Sequence, residues 1–168
     1  MSEQAVIDGL RFAREGQRLQ GNLPLSRLPR VAAELLDPGG SVSYELTGIV
    51  DSRGKPGIEL QTRAQLALVC QRCLNRLDFD LDRHTRFMLV ADEAALPELG
   101  EEDTETEAVP IEAVANVVDL VEQEVLLGLP IAPSHPDEAC APPDRPGSVA
   151  PDSPFAVLRQ LKDSENVD

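Results

Sequence analysis

The chain has 168 residues, a hydrophobic fraction of 42% and a formal net charge of −15 at pH 7. This length suggests one domain, and the core must consist mainly of Leu, Val, Ile and Ala because only 3% of the residues are aromatic. There is no apolar run of about 18 residues and no secretory signal pattern at the start, so the sequence predicts a cytoplasmic protein without a membrane segment.

The charge is unevenly distributed along the chain. Residues 1–86 contain 12 Lys or Arg and 11 Asp or Glu. Between Arg86 and Arg145 there is no Lys or Arg, while there are 15 Asp or Glu. Because phosphate binding needs clustered cations, this middle part should repel nucleic acid. It is either a solvated segment that keeps the protein soluble or a surface that attracts a basic protein.

The first half of the chain predicts strands with one helix among them. Residues 17–23 favour a short strand, and the apolar positions of 25–36 recur at steps of three and four, which predicts an amphipathic helix that begins near Arg27. From Ser41 the period changes to two, in the segments 42–50, 58–68 and 77–89. Consecutive alternating segments joined by short turns predict an antiparallel meander with one buried face.

The second half predicts a loop followed by a long helix. Residues 91–109 are acidic and lack a sustained period, so we expect a loop. Pro110 is expected to open an amphipathic helix that ends at Gly128. Its apolar stripe repeats at steps of three and four, and the acidic residues between are expected to face outward. These outward residues are Glu112, Asp119 and Glu122.

These elements predict an α+β fold: an antiparallel β-meander packed with one long amphipathic helix and a shorter N-terminal helix. We expect a single domain over residues 1–135, with the acidic loop 91–109 inside it. Residues 136–168 are expected to form a mostly disordered tail, because proline is frequent and apolar residues are few. A short apolar helix is expected near 154–162, either as a docking peptide or packed back on the domain.

Three cysteines and one histidine are candidates for metal chemistry. Cys70 and Cys73 form a C-x-x-C motif at the turn between two predicted strands, and His135 and Cys140 follow the long helix. Together they could form a tetrahedral Cys3His site for Zn2+. Two alternatives stay open: reduced thiols in a turn beside an incidental His–Cys pair, and a redox dithiol. The strand–helix context of a thioredoxin-like C-x-x-C is missing.

A few exposed positions are candidates for contact with RNA or with a partner. They are Arg72, Arg76 and Arg86 near the cysteine motif, and Phe155 and Leu158 near the end of the chain. Arg76 and Arg86 share a strand face with several aspartates, so neutralisation within the sheet is the simpler interpretation. The sequence has no Gly-rich phosphate loop, nucleophile elbow or H-E-x-x-H motif, so we predict no catalytic residue and no small-molecule substrate.

Three motifs occur in an order typical of a known family. They are VCQRCL at 69–74, LPIAPSH at 129–135 with Cys140 after it, and SPFAVL at 153–158 followed by Leu161 and Lys162. In this combination, over roughly residues 20–162, the chain resembles the bacterial YceD family, the large ribosomal RNA subunit accumulation proteins. The family's cysteines and histidine correspond to Cys70, Cys73, His135 and Cys140. Asn75 stands where the family commonly has an acidic residue.

The resemblance implies a non-catalytic cytoplasmic protein that promotes synthesis, processing or stability of 23S ribosomal RNA. Family members are not assigned a catalytic activity, so we expect no enzyme. Because the chain is acidic, we expect a ribosomal protein or a large-subunit assembly intermediate as partner, with only a weak or indirect contact to rRNA. The competing hypothesis is a thiol-disulfide redox enzyme or a redox-sensing protein that uses Cys70 and Cys73.

Overall fold

A five-stranded sheet is the centre of the computed structural model, which describes residues 6–91, 107–114, 116–136 and 139–140. The strands are β1 (Arg18–Pro24), β2 (Ser41–Val50), β3 (Pro56–Val69), β4 (Arg76–Val90) and β5 (Glu107–Pro110). They lie side by side in chain order. Neighbours from β1 to β4 are antiparallel, which confirms the predicted meander, and β5 runs parallel to β4. The sheet is therefore mixed.

Alternation of apolar and polar residues gives this sheet one buried face. Along β3, Ile58, Leu60 and Leu66 are buried, whereas Arg63 and Gln65 between them are exposed. The pairing register keeps apolar side chains of neighbouring strands on the same face, so that their apolar area is removed from water together. The opposite face carries charged and amide side chains.

Three α-helices pack against the buried face: α1 (Gly9–Arg14), α2 (Pro29–Glu34) and α3 (Val117–Gly128). The sequence does not predict α1. The helix predicted from about Arg27 begins two residues later, at Pro29, because residues 25–27 form a tighter 3-10 turn. One core joins the helices to the strands; its buried members include Phe12, Val31, Val121, Val125, Leu46, Leu60 and Phe87.

The last helix is shorter than the sequence predicts. Instead of opening a helix, Pro110 ends β5, and a 3-10 turn over Ile111–Val114 follows. Asn116 then caps α3, because its side-chain oxygen accepts hydrogen bonds from the N–H groups of Val118 and Asp119. The helix therefore has 12 residues and ends at Gly128, the end that the sequence predicts.

Residues 107–109, predicted to end the acidic loop, form part of β5 instead. This strand has only four residues, too few for alternation of apolar and polar side chains to be recognised. It also pairs in parallel with β4, and a parallel pair is not joined by the short turn that marks a hairpin in a sequence. The remainder of the predicted loop, 92–106, lies outside the described residues. So do nearly all of the predicted tail and the apolar helix expected near 154–162.

Two glutamates of α3 are buried, and one of them contradicts the predicted outward face. Glu122 is only 4% exposed and accepts hydrogen bonds from the backbone N–H and the Nε of Arg30 at 2.7 and 2.8 Å. Glu124 is 1% exposed and pairs with Arg83 at 2.7 Å. Buried carboxylates persist where such partners replace water.

No helix in the described part of the chain is long and apolar enough to cross a membrane.

Candidate metal centre

The turn between β3 and β4 is a tight knuckle, residues 70–75, that holds two of the cysteines. The N–H of Cys70 donates to the carbonyl of Asn75, and the N–H of Leu74 donates to the carbonyl of Cys70, both at 2.9 Å. Leu74 has a left-handed backbone, with φ of 62°. These features place Cys70 and Cys73 at the tip of a hairpin, as the sequence predicts.

The segment from Leu129 to Cys140, here called the arm, brings the other two candidate ligands to the knuckle. At Gly128 a Cβ atom would lie 2.5 Å from Cδ1 of Leu81, so a larger residue there would have to displace the Leu81 side chain, and the end of α3 packs closely on β4. The arm then runs beside the knuckle, where the carbonyl of Pro133 accepts a hydrogen bond from the N–H of Gln71 at 2.8 Å. This contact positions His135 next to Cys73.

Four ligand atoms meet at this point. The sulfurs of Cys70, Cys73 and Cys140 and a ring nitrogen of His135 all lie within 4.8 Å of one another. The sulfurs of Cys70 and Cys140 are 3.7 Å apart, and Nδ1 of His135 is 3.3 Å from the sulfur of Cys73. A tetrahedral zinc ion with bonds of about 2.3 Å to sulfur and about 2.0 Å to nitrogen needs these pairs about 3.8 and 3.5 Å apart. The donor set fits the ion.

His135 is oriented for coordination through Nδ1. Its other ring nitrogen, Nε2, lies 2.9 Å from the backbone carbonyl of Arg76, which can only accept a hydrogen bond. Nε2 therefore carries a proton, and in the neutral imidazole the lone pair of Nδ1 faces Cys73. A carbonyl that fixes the histidine tautomer in this way is the usual outer partner of a metal-bound imidazole.

The sulfurs sit in opposing electrostatic environments. Burial raises the pKa of the Cys70 thiol, but the N–H groups of Cys73, His135 and Arg72 that point at its sulfur outweigh burial and lower that pKa to about 5. Burial, together with the neighbouring sulfurs of Cys70 and Cys73, raises the pKa of Cys140 to about 11. The raised pKa of Cys140 reflects repulsion between negative sulfurs this close together, and a metal ion among them would relieve that repulsion.

The cysteines form a small buried cluster of their own. Cys70, Cys73 and Cys140 are 0%, 4% and 7% exposed, and Leu77 packs against them. This cluster is separate from the main core between the sheet and the helices. In a protein without a large aromatic core, a metal ion here would join the hairpin tip to the arm, the chemistry of a closed structural site with four protein ligands.

Among the other predicted contact residues, Arg72 and Arg76 adjoin this cluster through their backbones, and Arg86 lies on the exposed sheet face. Arg76 pairs with Asp78 at 2.7 Å and Arg86 pairs with Glu59 at 2.6 Å, both on the exposed sheet face, in keeping with the predicted neutralisation. Arg72 is exposed on the knuckle. The predicted docking residues Phe155 and Leu158 lie outside the described residues.

Sequence reasoning named the four donors but missed the groups that orient them. The carbonyls of Arg76 and Pro133 fix the imidazole and the arm, and a backbone carbonyl has no signature in the sequence. The segment 129–133, with two prolines, does indicate an extended arm. It does not indicate which groups the arm meets.

The fold and the site define a small α+β protein with a candidate Cys3His knuckle at one end of its sheet. The chain belongs to the YceD family, since the family model described as "Large ribosomal RNA subunit accumulation protein YceD" matches residues 58–162. The match includes β3 from Ile58 onward, β4, α3 and all four candidate ligands. No solved structure matches the chain.

Proposed function

We propose that this protein is a non-catalytic factor that promotes synthesis, processing or stability of 23S ribosomal RNA in the cytoplasm. The family match carries this proposal, because it extends over the whole candidate site as well as the strands and the helix that build it. The fold supplies a rigid sheet with one exposed polar face. Such a surface suits contacts with a ribosomal protein or a large-subunit assembly intermediate.

We infer that the knuckle and the arm hold one Zn2+ through Cys70, Cys73, His135 and Cys140. Four protein ligands complete the tetrahedral coordination and leave no position for a water or a substrate. The ion would therefore stabilise the fold and take no part in a reaction.

The alternative, a thiol-disulfide enzyme, predicts different behaviour of the same cysteines. A redox dithiol needs a sulfur that a substrate disulfide can reach, whereas all three cysteine residues here are buried. The low pKa of Cys70 suits a metal-bound thiolate as well as a redox nucleophile. Burial and the tautomer of His135 therefore favour the structural role.

The charge distribution supports a basic protein as the direct partner. Several arginines of the sheet and helices pair with carboxylates, which reduces the cationic charge that they offer to phosphate. These pairs are Arg30 with Glu122, Arg63 with Asp82 and Arg83 with Glu124. The acidic segment that follows β4 in the sequence would attract a cationic protein over a long range.

A depletion experiment in the source organism tests the proposed function. Loss of the protein should lower the amount of mature 23S rRNA relative to 16S rRNA, and the wild-type gene should restore it. A Cys73→Ser variant should fail to restore it, with His84→Ala as a control in the second histidine, which is exposed on β4. An unchanged ratio of 23S to 16S rRNA after depletion would contradict the proposal.

A further inference from the structure

Leu74 has a backbone conformation and an exposure that are both unfavourable for a leucine in a folded chain. It is the one residue other than glycine with positive φ in the described part of the chain, at 62°. This left-handed backbone is open to glycine but unfavourable for a residue with a Cβ atom. The side chain is also 66% exposed, so the leucine gains little from burial. Strain and exposure at one residue point to a contact outside the folded chain.

Ile131 presents a second apolar side chain at the same end of the molecule. It is fully exposed and lies in the arm, two residues before Pro133, whose carbonyl is bonded to Gln71 of the knuckle. Two residues of extended chain span at most about 7 Å, so Ile131 stays close to the knuckle. Leu74 and Ile131 are here called the tip patch. The hydrogen bond from Gln71 to Pro133 joins the two segments that carry it.

The chemistry around the tip patch suits a protein pocket better than RNA. Residues 70–80 contain two Arg and two Asp, so this segment has no net positive charge for phosphate. Arg76 is moreover paired with Asp78. Neither the knuckle nor the described arm contains Phe, Tyr or Trp, the side chains on which single-stranded bases commonly stack. Exposed Leu and Ile instead match the apolar centre of a protein interface.

We propose that the tip patch docks into an apolar pocket on a basic protein of the large ribosomal subunit. This inference rests on the proposed function, and it identifies the tip patch as the surface that contacts the partner. The net charge of −15 attracts a cationic partner, and the neutral tip lets the two apolar side chains enter a pocket without burying an unpaired charge.

Leu74→Gly separates this role from a structural one. Glycine adopts φ of 62° freely, so the variant should keep the metal and should not lower the melting temperature. Its affinity for the partner should nevertheless fall about tenfold or more, as expected when an anchor residue is lost. Val50→Thr is the matched control, because Val50 is also exposed but lies in the distant β2–β3 hairpin. A large loss of stability in Leu74→Gly would overturn the proposal.

Photocrosslinking identifies what the tip touches. The full chain is prepared with a benzophenone amino acid at position 74, and separately at position 50. Each is irradiated with proteins extracted from the large subunit and, in a second reaction, with protein-free 23S rRNA. We expect adducts with one or a few basic proteins from position 74 and none from position 50. Adducts with RNA alone, or equal labelling from both positions, would overturn the proposal.

Complementation distinguishes failure of this inference from failure of the proposed function. If depletion leaves 23S rRNA unchanged, the proposed function fails and the docking surface fails with it. If depletion lowers 23S rRNA and Leu74→Gly restores it as fully as the wild type, only the docking surface fails. Loss of restoration in Leu74→Gly, with folding and metal content intact, is the outcome that the inference predicts.

Discussion

Glu124 is a carboxylate in the protein interior, 1% exposed between α3 and β4. It accepts hydrogen bonds from Nε of Arg83 and from the hydroxyl of Thr85, two residues on the helix-facing side of β4. Since Arg83 keeps about a third of its side chain in water, only one member of the pair is fully desolvated. The pair fixes the lateral position of α3 on the sheet.

The first prediction concerns this carboxylate. Glu124→Gln removes the charge and leaves Arg83 with a weaker acceptor, so we expect the free energy of unfolding to fall by about 1–3 kcal/mol. Urea unfolding followed by circular dichroism measures the change. Glu112→Gln, an exposed position ahead of α3, is the control and should change stability by less than about 0.5 kcal/mol. Equal effects of the two variants would show that Glu124 makes no special contribution.

At the scale of the elements, α2 depends on α3 for its start. Leu28, the residue before α2, makes no side-chain capping bond. Glu122 of α3 supplies the missing acceptor, because its Oε1 lies 2.7 Å from the N–H of Arg30 and 3.4 Å from that of Val31. A carboxylate there also complements the positive end of the helix. Two helices distant in sequence are thereby coupled.

Hydrogen exchange tests this coupling. In Glu122→Ala the amides of Arg30 and Val31 lose their acceptor, so we expect them to exchange at least about tenfold faster, while the central amides of β3 change little. Gln123→Ala, the exposed neighbour on α3, is the control and should leave α2 unaffected. Uniform acceleration across the whole sheet would instead indicate global destabilisation.

The same helix shows where sequence reasoning succeeds and where it stops. Strict alternation locates β2, β3 and β4, because one face of each strand lies against the core. Glu122 follows Val118 by four residues and precedes Val125 by three, so helical period alone places it within the apolar stripe. Its acidity led to the opposite prediction, because a buried carboxylate is recognisable only when its partner is known.

The candidate site was predictable in composition but not in geometry. The two short spacings, Cys70 to Cys73 and His135 to Cys140, identify all four donors. Their meeting depends on the direction in which the chain leaves α3, where Gly128 packs closely on Leu81 and the N–H of Gln71 donates to the carbonyl of Pro133. Contacts between distant segments of this kind have no local pattern in the sequence.

For the whole molecule, the candidate site is a second buried cluster, beside the main core, that connects segments distant in sequence. The core joins the helices to the sheet, while the cysteine cluster joins the hairpin tip to the arm. Removing an ion from the cluster should therefore loosen one end of the molecule without dissolving the sheet. We then expect function to be lost because the knuckle and the arm, which carry the tip patch, no longer keep their relative positions.

Chelation tests this view of the whole molecule. Free zinc at 1,000 times its Kd stabilises the protein by about 4 kcal/mol, so a strong chelator should lower the Tm by about 10 °C for a domain of this size. Adding zinc back should restore the Tm, whereas magnesium should not, because thiolates bind it poorly. Differential scanning calorimetry provides the measurement. A Tm indifferent to the chelator would mean that no ion supports the fold.

Native mass spectrometry of the full chain, purified without a metal-affinity column, tests the central claim most directly. We predict one zinc per chain in the wild type and in His84→Ala, and its loss in His135→Ala and Cys73→Ser. A chain that carries no metal would contradict the account, as would a metal that survives in both ligand variants. Either result would mean that the four side chains meet without serving as a metal centre.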